Sequence, residues 1–280
     1  MSDFWQWYDR ALESADRYAV PRTELDWLVE TVLGIDKLHL RLRDVVVKDD
    51  RGIDQLWQKR IHDRVPVQYL AGKTIWRGME LVVNPSVLIP RPETELLIDI
   101  VDNLPPAPHR LGIWVDMGTG SGAIAIALAK IMPNATIHGV DISAAALEIA
   151  RLNADRQGVP IHFHQGNWYE AIPELAGQIA GIVSNPPYIP TKDIPLLEKE
   201  VRNHEPLVAL DGGADGYQAI LQLLYGAPQF LKSGGHLFLE LMAGQAMVIQ
   251  GVLKQHPRYA KVQVHRDLHL VDRFIAATVL

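Results

Sequence analysis

The sequence predicts a doubly wound α/β domain, with a mixed but mainly parallel sheet, behind a small N-terminal helical domain. Three patterns carry that expectation. From residue 111 onward short apolar runs alternate with helical segments, a glycine-rich turn directly follows the first of these runs, and the first third repeats apolar side chains at helical spacing.

Taken in order, residues 3–18 read as a helix with Phe4, Trp5, Tyr8, Leu12 and Ala15 on one side. Leu25, Leu28, Val29, Val32 and Leu33 recur at the spacing of one buried helix face, with Pro21 near the start and Gly34 placed to cap the end. A third helix is expected over 54–63. Together they define a domain over 1–73, read as a packing unit or as one that docks a partner; it shows no basic excess. Residues 75–83, with Gly78 in the middle, predict a hairpin, and Pro85, Pro90 and Pro92 follow. Prolines so dense disfavour a helix, so 74–92 is expected to be an ordered linker. In the remaining domain, 93–280, strands are expected at 111–116, 135–141, 161–165, 181–184 and 235–241, with helices such as 122–130 and 144–155 between them. Two last strands, 261–265 and 273–279, are joined by a short link and should pair antiparallel, which brings the sheet to seven strands.

Composition narrows the chemistry. The 280 residues are 48% hydrophobic and 21% charged, with a net charge of −6 and no cysteine. This is a globular composition. It excludes disulfides, a thiolate nucleophile, thiolate zinc sites and cysteine-ligated clusters. A negative balance argues against a large nucleic-acid footprint, so no direct nucleic-acid role is expected. The start, Met1-Ser2-Asp3-Phe4-Trp5, lacks the basic residues of an export signal, and apolar runs such as 123–129 are far short of the roughly 20 residues a membrane span needs. A cytoplasmic, membrane-free monomer is the expectation. Among 11 histidines, His265 and His269 fall between predicted strands, and His162 and His164 alternate on one strand face. Neither pair has the pattern of a metal site, and no metal is expected.

Three motifs carry the chemistry. Asp116-Met117-Gly118-Thr119-Gly120-Ser121-Gly122 follows a strand and opens a helix, where glycines let the backbone turn and a ligand approach free N–H groups. Its G-x-G-x-G spacing differs from the G-x-G-x-x-G of dinucleotide sites, and a purely structural turn is the alternative. Asp141, closing the next strand, suits the ribose hydroxyls of a nucleoside, or the N-cap of the following helix. Asn185-Pro186-Pro187-Tyr188 ends the fourth strand. The prolines remove N–H donors and leave rigid carbonyl acceptors, Asn185 adds an amide, and Tyr188 a flat face. Such a loop suits a planar –NH₂ group, either a carboxamide or the exocyclic amine of a base.

With these residues the chain resembles the S-adenosylmethionine-dependent methyltransferases that modify planar nitrogen. The segments 87–95 (VLIPRPETE), 66–72 (PVQYLAG) and 205–216 (EPLVALDGGADG) are more restrictive. They are similar to those of the release factor glutamine methyltransferases, the HemK family. The likeness covers nearly the whole chain and is loosest over 1–60. It implies a Rossmann-like methyltransferase domain that uses S-adenosyl-L-methionine, with S-adenosyl-L-homocysteine as product. The implied substrate is the side-chain amide nitrogen (N5) of the glutamine in the Gly-Gly-Gln motif of class I peptide chain release factors. The helical domain would help to grip that protein. By the same resemblance Gly118, Thr119, Gly120, Ser121, Gly122, Asp141 and Trp168 would hold the cofactor, with Trp168 at the adenine. Asn185 would serve both cofactor and substrate, and Asn185, Pro186, Pro187 and Tyr188 would form the substrate site, with Asn185, Pro186 and Tyr188 as catalytic residues.

Three positions depart from the family pattern. Asn167 replaces a common acidic residue, Met242-Ala243-Gly244-Gln245 follows Glu240-Leu241 in place of Glu-Ile-Gly, and no glycine precedes Arg273. Three alternatives stay open: a glutamine methyltransferase acting on a ribosomal protein, an adenine-N6 nucleic-acid methyltransferase sharing Asn-Pro-Pro-Tyr, and a cofactor-binding protein without catalysis. The absence of cysteine removes radical chemistry and cysteine-adduct methylation, and leaves direct transfer to a positioned nitrogen.

Overall fold

The computed structural model describes residues 3–104 and 110–280, so Met1 and Ser2 of the start weighed above as an export signal lie outside the described residues. The chain divides into two compact units, Met1–Thr74 with Glu198–His204, and Ile75–Leu197 with Glu205–Leu280.

The first unit is helical: α1 (Asp3–Arg17), α2 (Arg22–Leu33), α3 (Lys37–Leu42), α4 (Ile53–His62) and α5 (Val67–Ala71). Gly34 ends α2 in a left-handed conformation, its N–H bonded to the Glu30 carbonyl, which is the cap its position predicts. Trp5, Tyr8, Leu25, Leu28, Val29, Ile53 and Trp57 share one core. The short helix α3 was not foreseen; six residues hold too few turns to show a period, and its start rests on a local cap, Asp36 Oδ1 accepting the His39 N–H at 2.9 Å. Residues 198–204, which contain the helix Lys199–His204, join this unit through charge. Arg60, 3% exposed, donates to Glu24 at 2.6 and 3.0 Å and to Glu200 at 2.7 Å.

The second unit opens with β1 (Lys73–Trp76) and β2 (Met79–Val82), a two-stranded sheet that turns at Gly78, as the sequence predicts. Then follow α6 (Glu95–Asp102), β3 (Gly112–Met117), α7 (Ala123–Ile131), β4 (Ala135–Asp141), α8 (Ala144–Gln157), β5 (His162–Gln165) and β6 (Ile179–Ser184). With α9 as the Lys199–His204 helix, the chain ends in α10 (Gln218–Phe230), β7 (Leu231–Glu240), α11 (Ala246–Gln255), β8 (Tyr259–Arg266) and β9 (Asp272–Val279).

The large sheet has seven strands in the order β5-β4-β3-β6-β7-β9-β8. The first five pair in parallel, whereas β9 is antiparallel to both β7 and β8. The expected mixed, mainly parallel sheet is therefore present. Its central strands are buried on both faces, which is why they read as continuous apolar runs. Val115, Met117, Val140, Ile182 and Leu239 pack with α10 and α11 on one face. Trp114, Ile137, Val183 and Phe238 pack with α6 and α7 on the other. The strand–helix alternation does not by itself locate α10 and α11, because Pro228 and the glycines at 226 and 251 interrupt their pattern. Among the described residues no helix is long and apolar enough to cross a membrane.

Candidate active site

In the seven-stranded sheet the chain leaves β3 toward β4 and β5 on one side and leaves β6 toward β7 on the other. The carboxyl ends of β3 and β6 thus flank a topological switch point, the place where open α/β sheets bind ligands. Ser184 Oγ donates to the Met117 carbonyl at 2.5 Å and ties these two strand ends together. A cavity of about 250 Å³ opens there, and Gly118, Gly120, Asp141, Trp168, Asn185 and Pro187 all line it, together with Asn167.

The glycine loop is held by its own backbone. Gly118 and Thr119 donate N–H groups to the Val140 carbonyl at 2.8 and 2.9 Å, and Gly120 N–H donates to Asp141 Oδ2 at 2.8 Å. Gly118 and Gly120 have φ of +74° and +53°, a region glycine enters without strain. Thr119, Ser121 and Gly122 do not line the cavity; they support it from behind. Thr119 Oγ1 donates to Asp116 Oδ2 at 2.6 Å. The Ser121 carbonyl accepts from the buried Asn153, whose amide also exchanges two hydrogen bonds with the Val82 backbone. Asp116 is fully buried, and its Oδ1 has no hydrogen-bond partner. Burial pushes its carboxyl up to about 7, against the opposing pull of Thr119 and the Ala125 N–H.

Asp141 does not cap α8. Ser143 takes that role, its Oγ accepting the Ala146 N–H at 3.2 Å, while Asp141 Oδ1 accepts the Ser143 N–H at 2.9 Å. The carboxylate is left at the cavity rim with two backbone donors. Burial raises its pKa despite them.

The Asn185-Pro186-Pro187-Tyr188 loop is clasped from outside the motif. Gln245, 2% exposed, donates to the carbonyls of Tyr188 and Gly216 at 3.2 and 3.0 Å. Gly216 has φ +80°, and a Cβ there would stand 2.4 Å from the Tyr188 carbonyl oxygen; one at Gly212 would stand 2.8 Å from Tyr188 Cα. The segment 205–216 therefore matters because its glycines let the backbone close on the loop. Pro186 is buried, and neither it nor Tyr188 lines the cavity. The Tyr188 hydroxyl points to Glu240 Oε1 at 3.5 Å, and burial pushes it up to about 12.

Four residues here escape motif reading: Thr94, Asn153, Glu240 and Gln245. Thr94 donates to Glu240 Oε2 at 2.7 Å and accepts from Asn185 Nδ2 at 3.1 Å. The sequence does hold a trace of three of them, since Thr94 lies in the restrictive linker and Glu240 breaks the apolar run 235–241. Gln245 sits where the chain departs from the family pattern. Asn153 stands at a buried position of an otherwise amphipathic helix, which spacing alone cannot assign.

Residues 92–199 match the methyltransferase small domain family model. By shape the chain resembles a methyltransferase from Pyrococcus furiosus (TM-score 0.52, 16% identity, 82% of this chain and 98% of that one). It also resembles the catalytic domain of hMettl16 (TM-score 0.56, 15% identity, 72% and 76%). These likenesses concern the fold. Relatives called release factor glutamine methyltransferase match along nearly the whole length. The one from Synechocystis is 45% identical over 99% of this chain and 97% of its own. Those from Thermosynechococcus vestitus and Gloeobacter violaceus are 44% and 41% identical over 98% and 96% of this chain. The glycine loop, the acidic strand end and the proline-clamped asparagine thus stand in a chain that belongs to the release factor glutamine methyltransferases.

Proposed function

We propose that the protein methylates the side-chain amide nitrogen of the glutamine in the Gly-Gly-Gln motif of class I peptide chain release factors. The methyl donor is S-adenosyl-L-methionine, which when bound supplies a methyl group on a positively charged sulfur. The observation that carries this reading is the placement of Asn185 on the same cavity as Gly118, Gly120 and Asp141, in a chain with full-length relatives of that name.

The residues fit such a ligand. A Cβ at Gly120 would meet nothing within 4 Å, so the loop has room for a ligand beside its backbone. The Asp141 carboxyl group at the rim accepts ribose hydroxyls, and Trp168 and the half-exposed Ile142 offer apolar surface to an adenine. Asp116 Oδ1, buried and unpartnered behind the loop, is a further acceptor for a donor or a bridging water.

An amide nitrogen is a poor nucleophile because its lone pair is delocalised into the carbonyl, so the protein's work is placement. Asn185 Oδ1 and the Pro186 carbonyl accept the two amide hydrogens and aim the nitrogen, and Tyr188 packs on the amide plane. No strong base is required, since the product loses its proton to water after transfer. The helical unit over 1–73 grips the release factor, the linker over 74–92 leads on from it, and the domain over 93–280 carries out the transfer.

The test is to incubate the purified protein with S-adenosyl-L-methionine carrying a labelled methyl group and with a class I release factor. A Gly-Gly-Gln variant lacking the glutamine serves as control. Label on the first alone is the expected result. Label in both, in neither, or only on added ribosomal protein or DNA overturns the reading.

A further inference from the structure

A single hydroxyl hydrogen decides which end of the Asn185 amide is free. Thr94 Oγ1 gives its one hydrogen to Glu240 Oε2 at 2.7 Å. It can then only accept at its remaining side, and there it accepts from Asn185 Nδ2 at 3.1 Å. An –NH₂ held by Thr94 leaves Oδ1 as the end of the amide for a ligand. All three residues belong to the α/β unit. Thr94 and Glu240 are 3% and 1% exposed, so bulk water does not compete for these bonds.

We infer that Glu240, acting through Thr94, is a positioning residue that holds the Asn185 amide with its oxygen toward the substrate nitrogen. This rests on the function proposed above. The polarity of the chain depends on the carboxylate being an acceptor. Were Glu240 to carry a proton on Oε2, it could donate to Thr94. The threonine hydrogen would then turn toward Asn185, and the amide would be stable in the reversed sense. Its –NH₂ would face the incoming –NH₂, donor against donor, and the substrate would lose an acceptor.

The groups that face Glu240 set how readily this happens. Burial pushes its carboxyl up to about 7 and Glu93 adds to that, while Thr94, the Arg273 guanidinium of β9 and the Tyr188 hydroxyl oppose it. The switch in polarity therefore falls near neutral pH, and it needs no contact between Glu240 and substrate.

The experiment combines kinetics with a spectroscopic readout. In the wild-type protein kcat for release-factor methylation should fall below pH 7, approaching tenfold per pH unit, with KM for the release factor changing less than threefold. Glu240→Gln, whose side-chain oxygen still accepts from Thr94 but does not titrate, should lose that acid limb. Thr94→Val should lower kcat about 100-fold while the affinity for S-adenosyl-L-homocysteine, measured by calorimetry, stays within threefold. Thr94→Ser should restore most of the loss.

In ¹⁵N-labelled protein, the Asn185 side-chain amide signal, identified by its loss in Asn185→Ala, should titrate near pH 7 and stop titrating in Glu240→Gln. Full turnover by Thr94→Val, an acid limb that survives in Glu240→Gln, or an Asn185 signal indifferent to pH would overturn the inference. A wild-type protein that labels no release factor at any pH would overturn the proposed function instead. The amide titration would still decide for or against the relay.

Discussion

The backbone N–H of Gly120 donates to Asp141 Oδ2 at 2.8 Å, so the glycine loop after β3 and the acidic end of β4 are fixed to each other by a charge-assisted bond. Because the Ser143 N–H holds the other oxygen, Asp141 has its rotamer set before any ligand arrives. Asp141→Asn replaces one acceptor oxygen by a donor. It should weaken S-adenosyl-L-homocysteine binding by about 10- to 100-fold, the worth of one or two hydrogen bonds to a charged group. Calorimetry on the two proteins checks this, with thermal melting to show that the variant folds.

Asn185→Ala removes the amide and leaves Thr94 and Glu240 bonded to each other. Turnover on a release factor should fall by at least about 100-fold, as when a preorganised polar group is deleted from an active site. Folding should change little. A quantitative methyl-transfer assay with the cofactor at saturation measures the loss, and a variant with near wild-type turnover would dismiss the role.

Gly216→Ala tests the clasp on the Tyr188 loop. The new methyl would stand 2.4 Å from the Tyr188 carbonyl, and φ there is +80°. Together, strain and overpacking should cost about 2 kcal/mol. The midpoint of chemical denaturation should fall accordingly, and methyl transfer should fall more steeply than stability if the displaced segment carries the substrate acceptors as proposed.

Acid should loosen the α/β unit through His138. Its Nδ1 lies 2.8 Å from His164 Nε2, a bond in which one ring must accept, so both cannot be charged. Burial, with His164 and His162 beside it, lowers the His138 pKa from 6.5 to about 4. The unfolded chain therefore takes up this proton first as the pH falls. The contribution of His138 is complete above about 6.5 and is lost progressively toward about 4, reaching about 3 kcal/mol. Denaturant titrations at pH 7, 6, 5 and 4 should show the decline, and His138→Gln should make it shallower.

Arg60 should be the weak point of the helical unit. It is buried between Glu24 and Glu200, and its bond to Glu200 anchors residues 198–204. Arg60→Ala leaves Glu24 without its ion pair and Glu200 with only the more distant Arg64, at 3.4 Å, and should destabilise the unit by about 3 kcal/mol. Glu200→Gln should do less to global stability but speed hydrogen exchange in Lys199–His204. Exchange rates in that helix that stay unchanged would show that other contacts hold it.

Residues close in sequence were readable and residues joined across the fold were not. The α2 helix, the 135–141 strand and the antiparallel final pair follow from periodicity and turn chemistry, because each is specified within a dozen residues. The glycine loop, Asp141 and Asn185 could be placed on one crevice because parallel strands bring their carboxyl ends to the same edge of the sheet. By contrast, Thr94 and Glu240 are 146 positions apart, and Gln245 reaches Tyr188 across 57. Nothing in a single sequence distinguishes a buried glutamate at the end of a strand from an exposed one. The choice between cap and ligand for Asp141 was likewise undecidable until Ser143 was seen capping α8.

Two adjacent prolines in the loop at 186–187 have a consequence for the chemistry of selection. On the function proposed above, two prolines without N–H groups beside the Asn185 oxygen would sort side chains by the number of hydrogens they bring. Glutamine brings two, whereas glutamate, the same shape one deamidation away, brings none and meets only lone pairs. The methylated amide brings one, so it fits less well than the residue it came from. With the substrate glutamine docked there as proposed, such a wall would reject deamidated protein before the reaction and a second methyl after it.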